Sequence, residues 1–345
     1  MLPIHLLLEI VKYNDLRGII LINVGIYINR DYLARLKIKE IGLKGGNIEI
    51  YLKTISYLIK NKIVDYYKIF VFSTNLSIVK FLAEFVDINI TYTNYTALEY
   101  SAVNGHLEIV KHLVNKGANI HAQDNFALRL SSENGHLEVV KYLVDKGANI
   151  HAREDDALIW SSRNGNIKVV KFLVSQGANV NSQEDQALRS SAKNGHIEVV
   201  KHLVNKGANI HADSNYALIW SAHKGHLEVV KFLVSQGANV NAQEDCALKT
   251  SAENGHINVV KYIVDKGANI HAREDDALIW SSRNGHIKVV KYLVSQGANV
   301  NSKEDLALEY SAANGHLEIV KYLVSQGANV NVEEDWALRD RKSVV

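Results

Sequence analysis

The chain has 345 residues, 47% apolar and 22% charged, a balance that belongs to a folded globular protein rather than to a disordered or fibrous one. Its 39 basic and 37 acidic residues leave a net charge of +2, so no strong field draws it to nucleic acid or to an anionic membrane. One cysteine, Cys246, excludes an intramolecular disulfide framework and fits a reducing compartment, and no run reaches the roughly 18 apolar residues of a membrane span. Glu9 and Lys12 interrupt the first apolar stretch and no basic segment precedes it, so no signal peptide is expected and an intracellular, cytoplasmic protein is.

Residues 1–35 obey no repeat. Leu2 and Pro3 lead into a predicted amphipathic helix carrying Leu6, Leu7, Ile10 and Val11, proline being tolerated in a helix's first turn. The leucine–proline pair, the L-L-x-x-I run and Tyr13 resemble the opening of an F-box. That resemblance implies that Leu2, Pro3, Leu6, Leu7, Ile10 and Tyr13 dock on the Skp adaptor of a cullin-RING ubiquitin ligase. The match departs from the family at Asn14, where leucine is usual, at His5, where an acid is common, and over 19–32, which lacks the expected tryptophan. A plain N-terminal capping helix describes the same residues.

Over 36–90 a worn periodicity predicts two degenerate repeats, at about 36–63 and 64–90. Ser77 to Leu82 echoes Leu107 to His112, and Asp87-Ile88-Asn89-Ile90 echoes the GANI segment of later units. From 91 to 330 the pattern sharpens into eight copies of thirty residues, with a half copy at 331–345 whose Arg339, Asp340, Arg341 and Lys342 suit a polar cap. Self-similarity at such a period is the mark of a solenoid, in which each unit buries its apolar face against its neighbours.

The unit from His151 to Val180 recurs almost letter for letter at His271 to Val300. Asp155 is placed to cap a first helix, on which Ala157, Leu158, Ser161 and Ser162 share a face. Asn164 and Gly165 end it; Ile167, Val169, Val170, Leu173 and Val174 make the apolar side of a second helix, which Gly177 ends. Ala178, Asn179 and Val180 read as a short extended link, with Val180 turned inward. Neither helix is long enough to persist alone in water, so stability is expected to come from stacking.

Helix, N-G-H turn, LEVVKYLV-type helix and GAN(I/V) link resemble the ankyrin repeat, which implies an all-α solenoid of antiparallel helix pairs, each with a hairpin finger. Two departures stand out. The family's usual period is about 33, so the fingers are expected to be blunt, and the TPLH box that opens helix one is replaced by DALI at 156–159. Capping is therefore expected to pass to the Asp or Asn at 125, 155, 185, 215, 245, 275, 305 and 335. Blunt thirty-residue arrays of this kind resemble those of large DNA viruses and intracellular parasites, which deploy them against host proteins.

A second periodicity lies over the first. Trp160, Trp220 and Trp280 stand sixty residues apart with Ser190 and Thr250 between them, which reads either as jigsaw packing between neighbours or as a row of exposed aromatics for a ligand.

Catalysis needs groups that converge, whereas this chain spaces its polar residues by period. His106, His136, His196, His226, His256, His286 and His316 would form a ladder with about 10 Å between rungs, too far apart for one metal ion. They are expected to bond backbone in the turn before helix two. His121, His151, His211 and His271 are expected on the link surface. Cys246 lies near a helix start but has no basic partner, and no P-loop, G-x-G-x-x-G, HExxH or GxSxG occurs. No enzyme, cofactor or metal site is expected.

What varies among copies is a set of positions expected to be exposed along helix one. They are Phe126, Arg129 and Glu133; Asp156, Ile159 and Arg163; Gln186, Arg189 and Lys193; Tyr216, Ile219 and His223; Lys249 and Glu253; Asp276, Ile279 and Arg283; and Glu309. Glu99 belongs to the same register. These are expected to line a concave protein-binding face on a monomeric module that binds neither nucleic acid nor membrane. A ligase substrate receptor and a scaffold without specific ligand are the other readings of the same features.

Overall fold

The computed structural model describes residues 66–330 except 85 and 93. The F-box-like segment at 1–35, the first worn repeat at 36–63 and the polar cap at 331–345 therefore lie outside the described residues. Contacts divide the chain into two units, one running to Ser131 and including Tyr142–Ala148, the other made of Ser132–Lys141 and everything from Asn149 onward.

In the first unit, α1 (Tyr66–Phe72) and α2 (Leu76–Leu82) are the helical pair expected of the second worn repeat. The Asn75 side chain caps α2, accepting from the amides of Ser77 at 2.9 Å and Ile78 at 3.3 Å. A two-residue hairpin follows, β1 (Thr91–Tyr92) antiparallel to β2 (Tyr95–Thr96), with Thr91 opposite Thr96. It delivers the chain to α3 (Ala97–Val103) through a capping box. Thr96 Oγ1 accepts from the Glu99 amide at 3.2 Å and Glu99 Oε2 accepts from the Thr96 amide at 2.6 Å. Helix α4 (Leu107–Asn115) completes that repeat.

Next come α5 (Ala122–Glu133) and α6 (Leu137–Asp145). The second unit then repeats the pair without a break: α7 (Asp156–Arg163) and α8 (Ile167–Ser175), α9 (Ser182–Lys193) and α10 (Ile197–Asn205), α11 (Ala212–His223) and α12 (Leu227–Ser235), α13 (Ala242–Glu253) and α14 (Ile257–Asp265), α15 (Asp276–Arg283) and α16 (Ile287–Ser295), α17 (Ser302–Ala313) and α18 (Leu317–Ser325). Within the second unit, from α7 onward, each first helix packs on its own second helix and on the first helices of the adjoining repeats, and the second helices pack in a layer beside them. This is the all-α ankyrin-repeat solenoid that the periodicity predicts.

The apolar registers carry the fold. Ala157, Leu158, Val169, Val170, Leu173 and Ala178 are all at most 6% exposed, as are their equivalents at Ala187, Leu188, Val199, Val200 and Leu203. Burying each such leucine or valine contributes about 1.5–3 kcal/mol, which short helices cannot obtain alone. Val180, the expected inward anchor, is 7% exposed.

Both helix ends are closed by the same device. The Asn166 amide donates to Ser161 O at 2.9 Å and the Gly165 amide to Ser162 O at 3.2 Å, which satisfies two orphan carbonyls of helix one. At helix two, Ala178 donates to Leu173 O at 3.0 Å and Gly177 to Val174 O at 3.1 Å. Gly165 stands at φ +76°, and a Cβ there would come within 2.5 Å of His196 Nδ1 in the following repeat. Glycine is thus required twice at this position, for its backbone angle and for the close approach of the next repeat.

The link between repeats differs from expectation. It is not extended, and from residue 123 onward no hairpin finger forms among the described residues. In its place three consecutive residues turn left-handed, as Arg153, Glu154 and Asp155 do at φ +51°, +56° and +63°. The same triplet recurs at 123–125, 183–185, 213–215, 243–245, 273–275 and 303–305. Left-handed backbone costs an L-residue roughly 1–2 kcal/mol, least for Asn and Asp, and the third place is always one of those two.

Nor does that third residue cap the helix with its side chain. Asp155 makes no side-chain capping bond, and its carboxylate instead gathers three donors: His151 Nδ1 at 3.0 Å, the backbone N–H of Asn179 at 3.0 Å and Ser182 Oγ at 2.6 Å. The last two belong to the next link, so one buried carboxylate, 3% exposed, ties two loops together. Asp185, Asn215, Asp245, Asp275 and Asp305 accept from the amides of Asn209, Asn239, Asn269, Asn299 and Asn329 at 2.7–3.2 Å in the same way.

Asp155→Ala is expected to cost about 1–3 kcal/mol for the donors it strands, with a further 1–2 kcal/mol or so from alanine in a left-handed turn. Asp155→Asn keeps one acceptor and the tolerance for that turn, and should cost less. Thermal melting together with hydrogen exchange at the Asn179 amide checks this; equal losses in the two variants would defeat the account.

Candidate protein-binding face

The turns between helices build a second set of bonds between repeats. His196 Nε2 donates to Arg163 O at 2.9 Å, His226 to Lys193 O at 3.1 Å, His256 to His223 O at 2.9 Å, His286 to Glu253 O at 2.9 Å and His316 to Arg283 O at 2.9 Å. Asn166 substitutes for the histidine by donating to Glu133 O at 2.7 Å. These imidazoles do bond backbone, as expected, but to the last carbonyls of the preceding repeat's first helix, which its own ladder leaves open. The link histidines bond within their own loop, His151 to Asp155 and His271 to Asp275, both at 3.0 Å.

Helix one therefore sits in a fixed frame, and its outward registers can be placed. Ile159 and Ile219 are 7% exposed and Ile279 is 2% exposed, so these three candidates belong to the core and offer a partner nothing. Asp276, at 9% exposure, is also buried, its carboxylate bridging Lys303 at 2.8 Å and Lys249 at 3.4 Å. Glu99 is 1% exposed, spent in the capping box, and burial raises its pKa. Arg189 is consumed internally. It bonds Asp213 at 2.5 Å and Gln183 O at 3.0 Å and lies over the Tyr216 ring at 5.2 Å.

Smaller roles account for others. Gln186 Nε2 donates to Ser190 Oγ at 3.0 Å and Asp156 pairs with Arg153 at 3.3 Å. In the first unit, Phe126 stacks on Tyr95 with centroids 6.1 Å apart, and Arg129 lies 4.4 Å above the Phe126 ring. Glu133, Glu253 and Glu309 are half-buried. The adaptor candidates Leu2, Pro3, Leu6, Leu7, Ile10 and Tyr13 lie outside the described residues.

The tryptophans are neither core nor free. Trp160, Trp220 and Trp280 are half-buried, each with a cation over its ring: Arg163 above Trp160 at 4.9 Å, Lys193 above Trp220 at 4.1 Å, and Arg283 and Lys249 about Trp280 at 4.8 and 5.2 Å. Tyr216 packs against Trp220 at 5.5 Å and His223 against its other neighbourhood at 4.9 Å. Here the sixty-residue alternation acquires a physical sense. The repeats with a small residue at this register, Ser190 and Thr250, supply Lys193 and Lys249, which cover the aromatic ring of the repeat that follows. Arg163 and Arg283 lie over the ring three residues earlier in their own helix, whereas Lys193 and Lys249 come from the preceding repeat and leave no pattern local to the ring.

Cys246 is half-buried, and burial raises its thiol pKa, the opposite of an activated nucleophile. Among the described residues no group of three or more His, Cys, Asp and Glu comes together as a metal site would require. No helix among them is long and apolar enough to cross a membrane.

The family model for ankyrin repeats in three copies matches residues 54–124, 124–184, 188–274 and 271–334. The chain belongs to the ankyrin-repeat family, whose members are modules of protein–protein interaction. No curated protein matches it.

The histidines of this frame set a pH limit. Burial is the first cause that lowers the pKa of His202, His223 and His226, with Lys171 and Lys206 adding to it at His202 and Lys224 at His223 and His226. The Asn254 amide donates to His223 Nδ1 at 3.1 Å, which requires that nitrogen to be unprotonated. A depressed folded pKa means the unfolded chain binds protons first, so stability is complete above the ordinary imidazole value of about 6.5 and falls as the pH drops through the lower folded values. Melting temperature is expected to decline from about pH 6.5 downward, and less steeply in His223→Gln; parallel curves would contradict the assignment.

Proposed function

We propose that the chain is a non-catalytic recognition module that holds a target protein on the first-helix face of its second unit. One observation carries this reading: along that face half-buried aromatic rings alternate with cations, and Arg163, Lys193 and Arg283 have no carboxylate partner among the described residues. Half-buried rings with fixed polar neighbours are what interface anchors are made of. On the same face the loop carboxylates and the turn imidazoles are spent in bonds between repeats. The test is a photo-crosslinking residue placed at Arg163 or, as control, at Lys171 on the second-helix face. Partner adducts from cell extract are expected from the first position and not the second; the reverse would sink the proposal.

A second reading rests on Leu2, Pro3, Leu6, Leu7, Ile10 and Tyr13, the residues that resemble an F-box. On it the protein is an intracellular substrate receptor: the N-terminus holds a ubiquitin ligase and the repeats hold the target. Affinity capture is expected to recover the Skp adaptor and a cullin with the unaltered chain and to lose both with Leu2→Asp, Leu6→Asp. Recovery of neither with the unaltered chain leaves the stand-alone module.

A further inference from the structure

The charges on the first-helix face divide into two kinds. Arg189 and Lys249 are neutralised at short range by Asp213 and Asp276. Arg163 and Arg283, both exposed, and half-buried Lys193 make no ion pair with a carboxylate among the described residues, and each lies over a tryptophan ring of the same face. Stacking fixes the cation without cancelling its charge, so an arriving anion meets a group whose side-chain freedom is already restricted. The ring edge beside it supplies apolar contact.

A continuous polyanion does not suit this strip. Exposed Glu154, Glu184, Glu274 and Glu304 stand at the tips of the adjoining loops and would repel closely spaced phosphates. That these tips border the strip is fixed by Arg189, which reaches from helix one to the loop residues Asp213 and Gln183. The aromatic faces on which bases would stack are covered by the cations themselves. Sparse negative charge on a slender chain suits both features.

We propose that this strip, granted that the face is where a partner binds, receives an acidic segment of a protein in extended conformation, its carboxylates meeting Arg163, Lys193 and Arg283. Stacked first helices lie about 10 Å apart, and an extended chain advances about 3.3 Å per residue. Arg163 and Lys193 are one repeat apart and so call for acids roughly three residues apart, and Lys193 and Arg283, three repeats apart, for roughly nine.

The test is selection of a random sixteen-residue phage-displayed peptide library on the full chain. Selected peptides are then titrated against that chain, against Arg163→Gln, Lys193→Gln, Arg283→Gln, and against the charge-retaining Arg163→Lys, Arg283→Lys. Circular dichroism melting establishes that each variant is folded. Selected sequences are expected to be rich in Asp and Glu, to weaken at least tenfold with the glutamine variant, and to keep most of their affinity with the lysine variant. Peptides without acidic enrichment that still depend on the three cations would overturn the acidic class and leave the face as the binding site. Peptides indifferent to the glutamine variant would overturn both. A twenty-nucleotide single strand that binds more tightly than any selected peptide would overturn the assignment to a protein segment.

Discussion

In the second unit one buried Asp or Asn side chain per repeat ties adjoining loops together. It closes a left-handed turn whose backbone is unfavourable by itself, and it accepts the amide N–H of the next link, as Asp155 does from Asn179 at 3.0 Å. The turn and the bond depend on each other. Without the acceptor nothing offsets three left-handed residues, and without the left-handed path the acceptor would not reach the following loop. This arrangement takes the place of the hairpin finger and allows the repeat to be thirty residues long.

The opposite end of helix one is held by a different bond of the same kind. An imidazole from the following repeat donates to its last carbonyl, and a glycine lies directly beneath that ring. With both ends of each first helix tied to a neighbour, the outward side chains have little freedom to rearrange. Apolar packing supplies most of the stability, but these two polar bonds decide the stacking geometry, because a buried donor or acceptor left unmet is costly in any other register.

On that frame the first-helix face is built by alternation. Trp220 and Trp280 are covered by lysines of the preceding repeats, which carry serine or threonine at the same register, as Lys193 does for Trp220 at 4.1 Å. At Trp220 and Trp280 the face is thus a property of adjacent repeats, in which one unit provides the ring and another a charge.

The sequence by itself determined the period, the helix pairs, the glycine exits and the apolar registers at Leu158, Val170 and Leu173, because these follow from spacing within one unit and from the backbone needs of single residues. It also pointed to helix one as the variable face, and to backbone as the target of the turn histidines. Only the tertiary structure decided that Asp155 ties loops instead of capping a helix, and that Ile159, Ile219, Ile279 and Asp276 face inward. It likewise decided that Trp220 and Trp280 carry the cations Lys193 and Lys249 from the preceding repeat. Each of these depends on a group about one repeat distant in sequence, such as the 24 residues from Asp155 to Asn179, and a pattern read within one helix cannot tell a side chain turned to solvent from one turned to the next repeat.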